Sequence, residues 1–205
     1  KAIGYATEQG PWDGFVAIGG GSSIDTAKAV NLLTTYPGEL MDYLNKPVGR
    51  AQVPPGPLKP LIAVPTTAGT GAEVTKNAVI AVPEHGVKVS LRDARMIPNI
   101  AIVDAALMQG APRHVTLAAG LDAVTQVIEP YLSTRANPLT DAICRAAIGP
   151  GLAALARLME GEDPAARDTM AWVSLSGGLA LANAGLGAVH GLAGPIGGVC
   201  GAPHG

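Results

Sequence analysis

Residues Gly14–Ile18 form a short apolar run, and Gly19-Gly20-Gly21-Ser22-Ser23 follows it without interruption. Ile24, Ala27, Val30, Leu32 and Leu33 then recur at helical spacing. A run this short and apolar suits a buried strand, so the stretch reads as strand, glycine turn, helix. No other segment narrows the fold as much. Successive glycines let the backbone approach a ligand closely, and the unpaired N–H groups of a helix start, with the helix dipole, favour an anion. Ser22 and Ser23 add hydroxyl donors. This is phosphate-binding chemistry, although the pattern is neither GxGxxG nor the P-loop. A tight β–α turn without a ligand is the other reading.

A second such unit follows. Leu61–Pro65 reads as a buried strand and runs into Thr66-Thr67-Ala68-Gly69-Thr70-Gly71. Two hydroxyl- and glycine-rich loops at the C-terminal ends of strands fit a nucleotide lying along the edge of an open α/β sheet. Thr66, Thr67 and Thr70 can equally serve turns and caps.

The remaining segments arrange themselves around these two. Lys1–Gln9 reads as the end of a helix, closed by Gly10 and Pro11. Tyr36–Pro60 is a Pro- and Gly-rich excursion with a short helical piece near Glu39–Leu44. Asn77–Val82 and Val87–Leu91 flank a turn and predict a hairpin, with His85 exposed at its tip and Lys88 either on a phosphate or in solvent. Ile100–Asp104 predicts a further strand. From Thr116 the pattern is helical: Thr116–Leu132, then Asn137–Glu160, which Gly149-Pro150-Gly151 should break or kink. A helix starting at Asp163-Pro164 continues through Ala165–Leu181, with Gly177-Gly178 permitting close packing. The chain therefore reads as a Rossmann-like α/β nucleotide-binding domain over residues 1–111 and an all-α domain over residues 112–205, with a cleft between them.

Composition excludes several classes. Hydrophobic residues make up 48% and charged residues 15%, which is a folding chain and not a disordered one. A net charge of −2 without a basic run leaves no footprint for nucleic acid. Apolar runs are interrupted by Gly, Pro or charge, so no membrane span is expected, and the opening is too polar for a signal peptide. Cys144 and Cys200 form no redox or metal motif and read as free thiols of a cytoplasmic protein. The absence of an initiating Met, and an end at His204-Gly205, lead us to expect a fragment of a longer chain.

Asp122 and Gln126, four residues apart in GLDAVTQVIEPY, would leave one face of a helix one turn apart. Polar groups on such an apolar segment need partners, a ligand or a metal. His190 and His204 lie in HGLAGPIGGVCGAPHG, among glycines and small apolar residues. An aspartate and two histidines make a metal-ligand set. A buried aspartate capping a turn, with two structural histidines, is the alternative.

GGGSSIDTAKA, PTTAGTGAEVT, GLDAVTQVIEPY and HGLAGPIGGVCGAPHG, in this order and at these spacings, resemble the iron-containing (group III) alcohol dehydrogenases. The resemblance covers nearly the whole chain. It implies a dehydroquinate synthase-like fold, in which a dinucleotide-binding α/β domain precedes a helical one. It implies that Gly19, Gly20, Gly21, Ser22 and Ser23 cradle the pyrophosphate of NAD or NADP, with Asp25 nearby. Thr66, Thr67, Thr70 and Lys88 would contact the cofactor, and Asp104, Leu107 and Met108 would flank its adenosine side. Asp122, His190 and His204 match three of four ligands to Fe²⁺ or Zn²⁺ and would act in catalysis through that metal. The implied activity is hydride transfer between a small alcohol, aldehyde or ketone and nicotinamide, in a homo-oligomer.

The chain departs from the family pattern twice. Gln126 stands where the family has a fourth, histidine ligand; an amide oxygen is a weaker ligand than imidazole. Gly194 stands where a second histidine of the tail motif is common. Three protein ligands and a water still make a workable catalytic zinc site, as in related glycerol dehydrogenases. The resemblance leaves three other readings open: a metal-independent reductase of the maleylacetate reductase type, a dehydroquinate synthase-like lyase, and a non-catalytic NAD(P)-binding remnant.

Overall fold

The computed structural model describes residues 1–205. Helix α1 (Ala2–Gln9) leads to strand β1 (Phe15–Gly19) and helix α2 (Gly21–Thr35). The turn between β1 and α2 needs glycine. Gly19 has φ +149°, and a Cβ there would lie 2.5 Å from Ser23 Oγ. A one-turn helix α3 (Leu40–Tyr43) sits in the following excursion. Strand β2 (Leu61–Pro65) precedes the hairpin of β3 (Asn77–Val82) and β4 (Val87–Arg92), and β5 (Ile100–Ala101) closes the α/β part.

Strands β1, β2 and β5 form a parallel sheet in the order β1-β2-β5, with Gly19 opposite Pro65. This register brings the two glycine-rich loops out side by side at one sheet edge, where open α/β sheets bind ligands. The hairpin forms a separate antiparallel pair and packs on α2 through Ala29, Leu32, Ala78, Val82 and Leu91. The third parallel strand is shorter than the expected Ile100–Asp104. After Ala101 only the Ile102 N–H still reaches Ala63, and Asp104 then caps a 3₁₀ turn over Ala105–Met108 by accepting from Ala106 N–H. Val16, Ile18, Ile100 and Ile102 are exposed on this sheet.

Helices α4 (Arg113–Tyr131), α5 (Pro138–Glu160), α6 (Pro164–Ala184) and α7 (Ala188–Cys200) follow. Each of α5 and α6 starts on a side-chain cap, Asn137 and Asp163, with proline in the first turn. Helices α4, α5 and α6 pack together around Ala123, Val127, Ala147, Leu155, Met170 and Val173. Small residues allow close approach: a Cβ on Gly177 would lie 2.9 Å from Gln126 Cβ.

Helix α5 does not break at Gly149-Pro150-Gly151. Pro150 forfeits one backbone hydrogen bond, but Gly151 seats against Val173 and Val124, and this packing holds the helix through the proline. By length and hydropathy α5 alone is apolar enough to cross a membrane; its apolar side packs on α4 and α6.

Candidate active site

Asp122, Gln126 and Glu129 sit at helical positions i, i+4 and i+7 of α4, so one face of the helix carries all three. They are 6%, 3% and 8% exposed. Buried polar groups need partners, and the two carboxylates find theirs on α7 and the residues after it. His190, in the first turn of α7, reaches both carboxylates: its Nε2 is 3.0 Å from Asp122 Oδ1 and its Nδ1 is 2.5 Å from Glu129 Oε2. Glu129 also accepts from the backbone N–H of Val189 at 2.7 Å and of His190 at 3.4 Å. Helix α7 has no side-chain cap of its own, so Glu129 serves as its N-cap from across the bundle.

His204 follows α7 in an extended tail. Its Nε2 lies 3.8 Å from Asp122 Oδ1, its side chain is 41% exposed, and its ring meets that of His190 edge-on at 5.6 Å. The ligand atoms of Asp122, His190 and His204 all lie within 4.8 Å of one another. One carboxylate and two imidazoles suit Fe²⁺ or Zn²⁺, so these residues fit a divalent ion.

Gln126 is turned differently from a ligand. Its Nε2 donates to Asp122 Oδ1 at 3.0 Å, while its Oε1 lies against Gly177 of α6, buried and without a partner. In this orientation it braces the Asp122 carboxylate. Gly194, one turn beyond His190, faces open space, with nothing within 4 Å of a Cβ built on it.

Electrostatics follow from this packing. Burial works against the His190 imidazolium, but the hydrogen bonds and charges of Asp122 and Glu129 prevail and hold its pKa above the ordinary histidine value. For Glu129, burial pushes upward, and the His190 ring with the Gly187 and Val189 N–H groups pulls the carboxyl lower overall. His190 thus joins two carboxylates through both ring nitrogens. An ion seated among the ligands would replace the proton on Nε2, and Glu129 would keep the one on Nδ1.

The loops at the sheet edge form the second half of the site. Gly20 is the N-cap residue of α2, and no side chain caps that helix, so the N–H groups of Gly21 and Ser22 are left for an anion, while that of Ser23 donates to the Gly20 carbonyl. Ser22 and Ser23 are exposed beside it. Gly20 and Gly21 lie against Thr67 and Thr70, where a Cβ on Gly21 would meet Thr70 at 2.6 Å. Thr66 N–H donates to Gly19. Gly19 to Ser23 therefore adjoin Thr66, Thr67 and Thr70, with Gly21 packed so closely on Thr70 that no side chain fits between the loops, and the uncapped helix start beside them suits a pyrophosphate.

The other expected cofactor residues lie elsewhere. Asp25 accepts from Val79 N–H at 2.9 Å, so its carboxylate faces the hairpin. Lys88 is exposed on β4 and lies beside Gly197 of α7. Asp104 is committed to its cap, and Leu107 is exposed. Met108 is 1% exposed, in the junction lined by Thr67, Ala68, Ala119, Leu158 and Met170. It therefore supports the loop and offers no side-chain surface to an adenosine.

Reading from sequence missed two residues. Glu129 was signalled by its place seven residues after Asp122 on the same helical face. Lys28 was signalled by a lone cation inside the apolar stripe of α2. It is 1% exposed and donates to the carbonyls of Ala72, Thr75 and Asn77 at 2.7, 2.7 and 2.8 Å.

An uncapped glycine turn at a parallel sheet edge and an Asp–His–His cluster among helices define a class of protein with a dinucleotide fold beside a metal-ligand set. The family model described as iron-containing alcohol dehydrogenase matches residues 1–105, and that of the C-terminal region of the same family matches residues 116–205. The chain belongs to the iron-containing alcohol dehydrogenase family.

It is 42% identical over 205 residues to a probable alcohol dehydrogenase, EutG, of Escherichia coli, covering 100% of this chain and 50% of that one. It is 41% identical to alcohol dehydrogenase 4 of Schizosaccharomyces pombe, covering 94% and 45%. Among solved structures, sulfoacetaldehyde reductase from Bifidobacterium kashiwanohense in complex with NAD⁺ superposes with a TM-score of 0.89 at 28% identity, covering 98% and 54%. The chain spans about half the length of the curated relatives it matches.

Proposed function

We propose that the protein containing this chain is a metal-dependent, NAD(P)-linked oxidoreductase that interconverts a small alcohol with its aldehyde or ketone. The observation that carries this reading is the convergence of Asp122, His190 and His204, ligand atoms within 4.8 Å of one another, in a chain that also presents an uncapped glycine turn. Fe²⁺ or Zn²⁺ held by these three residues supplies Lewis acidity toward a substrate oxygen. NAD or NADP held at Gly19–Ser23 supplies the hydride acceptor or donor.

The chain's own residues have separable tasks. Glu129 accepts a hydrogen bond from His190 Nδ1–H, which fixes the ring with Nε2 facing Asp122 Oδ1 and available to an ion. Gln126 holds Asp122 Oδ1 in place with its amide N–H. Thr66, Thr67 and Thr70 shape the edge beside the glycine turn, and the exposed Lys88 and Leu107 are the remaining side chains we assign to the cofactor surface. The alcohol dehydrogenase names of the relatives and the NAD⁺ bound by one structural neighbour support the reading.

Elemental analysis of the full-length protein, with NAD(P)-linked oxidation of short alcohols before and after chelation, tests it. Stoichiometric Fe or Zn, with activity lost to a chelator and restored by the ion, is the expected result. Failure to retain any divalent ion after reconstitution overturns it. A metal-independent reductase is the second reading. It is favoured by Gln126, which already satisfies Asp122 with an N–H, and chelator-insensitive turnover would support it.

A further inference from the structure

We infer that Lys28 and Asp25 are positioning residues for the cofactor, fastening residues 72–79 to the helix whose N-terminus forms the pyrophosphate cradle. An ammonium has three N–H donors, and Lys28 directs all of them at main-chain carbonyls, those of Ala72, Thr75 and Asn77. One turn earlier on α2, Asp25 Oδ2 accepts from the N–H of Val79, the third residue of β3. Four bonds from two side chains thus clamp one stretch of backbone. None of the four depends on the side chains of that stretch.

The clamped stretch continues the threonine loop on one side and begins the Lys88 hairpin on the other. On its far side, Gly71 has φ +59° and presses on α6, where a Cβ would lie 2.5 Å from Gly178 Cα. The segment is held between α2 and α6 and has no slack. The same α2 presents Gly21 to Thr70 at its first turn. Both loops of the cradle therefore take their spacing from α2, one by chain continuity and one through Lys28 and Asp25. The lysine has no donor left for a ligand, so its effect on a dinucleotide is through the loop. Burial lowers the Lys28 ammonium pKa to about 8, with Asp25 and Glu73 opposing the shift; these two carboxylates are the charges facing it. A cation is costly here, and a nonpolar side chain would fill the space, yet only an ammonium satisfies three convergent carbonyls.

This inference rests on reading Gly19–Ser23 and Thr66–Thr70 as the dinucleotide surface. The test is NADH and NADPH binding to full-length protein by nucleotide fluorescence, with metal content and steady-state constants measured alongside, for wild type, Lys28→Met and Asp25→Ala. Lys28→Met should weaken dinucleotide affinity on the order of tenfold or more, because loop displacement misplaces contacts without removing them. Its metal content and its KM for the alcohol should stay at wild-type values. Asp25→Ala, which loses one bond of the four, should weaken dinucleotide affinity in the same direction and by less, and it keeps the test alive should Lys28→Met not fold. Wild-type protein that binds neither dinucleotide overturns the surface assignment and the inference with it. Wild-type binding together with unchanged affinity in the folded variants overturns the inference alone.

Discussion

Glu129 Oε2 and His190 Nδ1 lie 2.5 Å apart across sixty-one residues of sequence, and the same carboxylate caps the helix that carries the histidine. One side chain thereby sets both the ring orientation of His190 and the position of the segment that carries it.

Glu129→Gln should therefore weaken divalent-ion binding by roughly 10- to 100-fold, the usual cost of losing a carboxylate behind a ligand histidine. Competition against a chromogenic chelator measures this directly. Affinity equal to wild type would reduce Glu129 to a helix cap.

Gln126→Leu should destabilise the chelated protein by about 1–3 kcal/mol, because the buried Asp122 loses its amide donor. The loss should shrink when an ion occupies the carboxylate. Urea unfolding of both forms checks this, and equal losses in the two would argue against the bracing role.

Two glycines should respond oppositely to the same substitution. Gly177→Ala forces a methyl to 2.9 Å from Gln126 Cβ and should cost about 1–3 kcal/mol. Gly194→Ala meets nothing within 4 Å inside α7 and should gain up to about 1 kcal/mol from helix propensity. Thermal unfolding of the two variants separates the cases.

Stability should carry a signature of Asp25. Burial raises its carboxyl from 3.8 to about 6, against the Val79 N–H and the Lys28 charge, with Glu73 the other acid nearby. The folded value exceeds the unfolded one, so this contribution is fully present below pH 3.8 and is lost as pH rises through 6. Relative to Asp25→Asn, the wild type should gain stability as pH falls from 7 toward 4, by at most about 3 kcal/mol. Denaturant unfolding across that range measures it, and parallel curves for the two proteins would refute it.

Local chemistry was legible in the sequence wherever neighbours along the chain decide the structure. The glycine turn at Gly19–Ser23, the hairpin about His85 and the Asp163-Pro164 helix start are of this kind, because their local partners lie within a few residues. The spacing of Asp122 and Gln126 also placed both on one helical face. What each does there depends on distant groups. Gln126 turns its nitrogen to Asp122 because a carboxylate accepts and cannot donate, which leaves the amide oxygen beside Gly177 of α6. Lys28 bonds only to carbonyls, which every residue has, so its partners leave no trace in the side-chain pattern. Burial of Met108 and the unbroken helix at Pro150 were not legible for a related reason: packing between elements buried the one and carried a helix through the other.

His204 lies past α7, in a stretch, residues 201–205, that makes no backbone hydrogen bond to the rest of the chain. Its counterparts His190 and Asp122 are already joined across sixty-eight residues. An ion shared by all three would therefore act as a removable cross-link between α4, α7 and the residues after it, and its binding free energy would add to the stability of the folded state. Metal loading would then be legible without any assay of turnover, as a rise in the stability of the full-length protein that a chelator reverses.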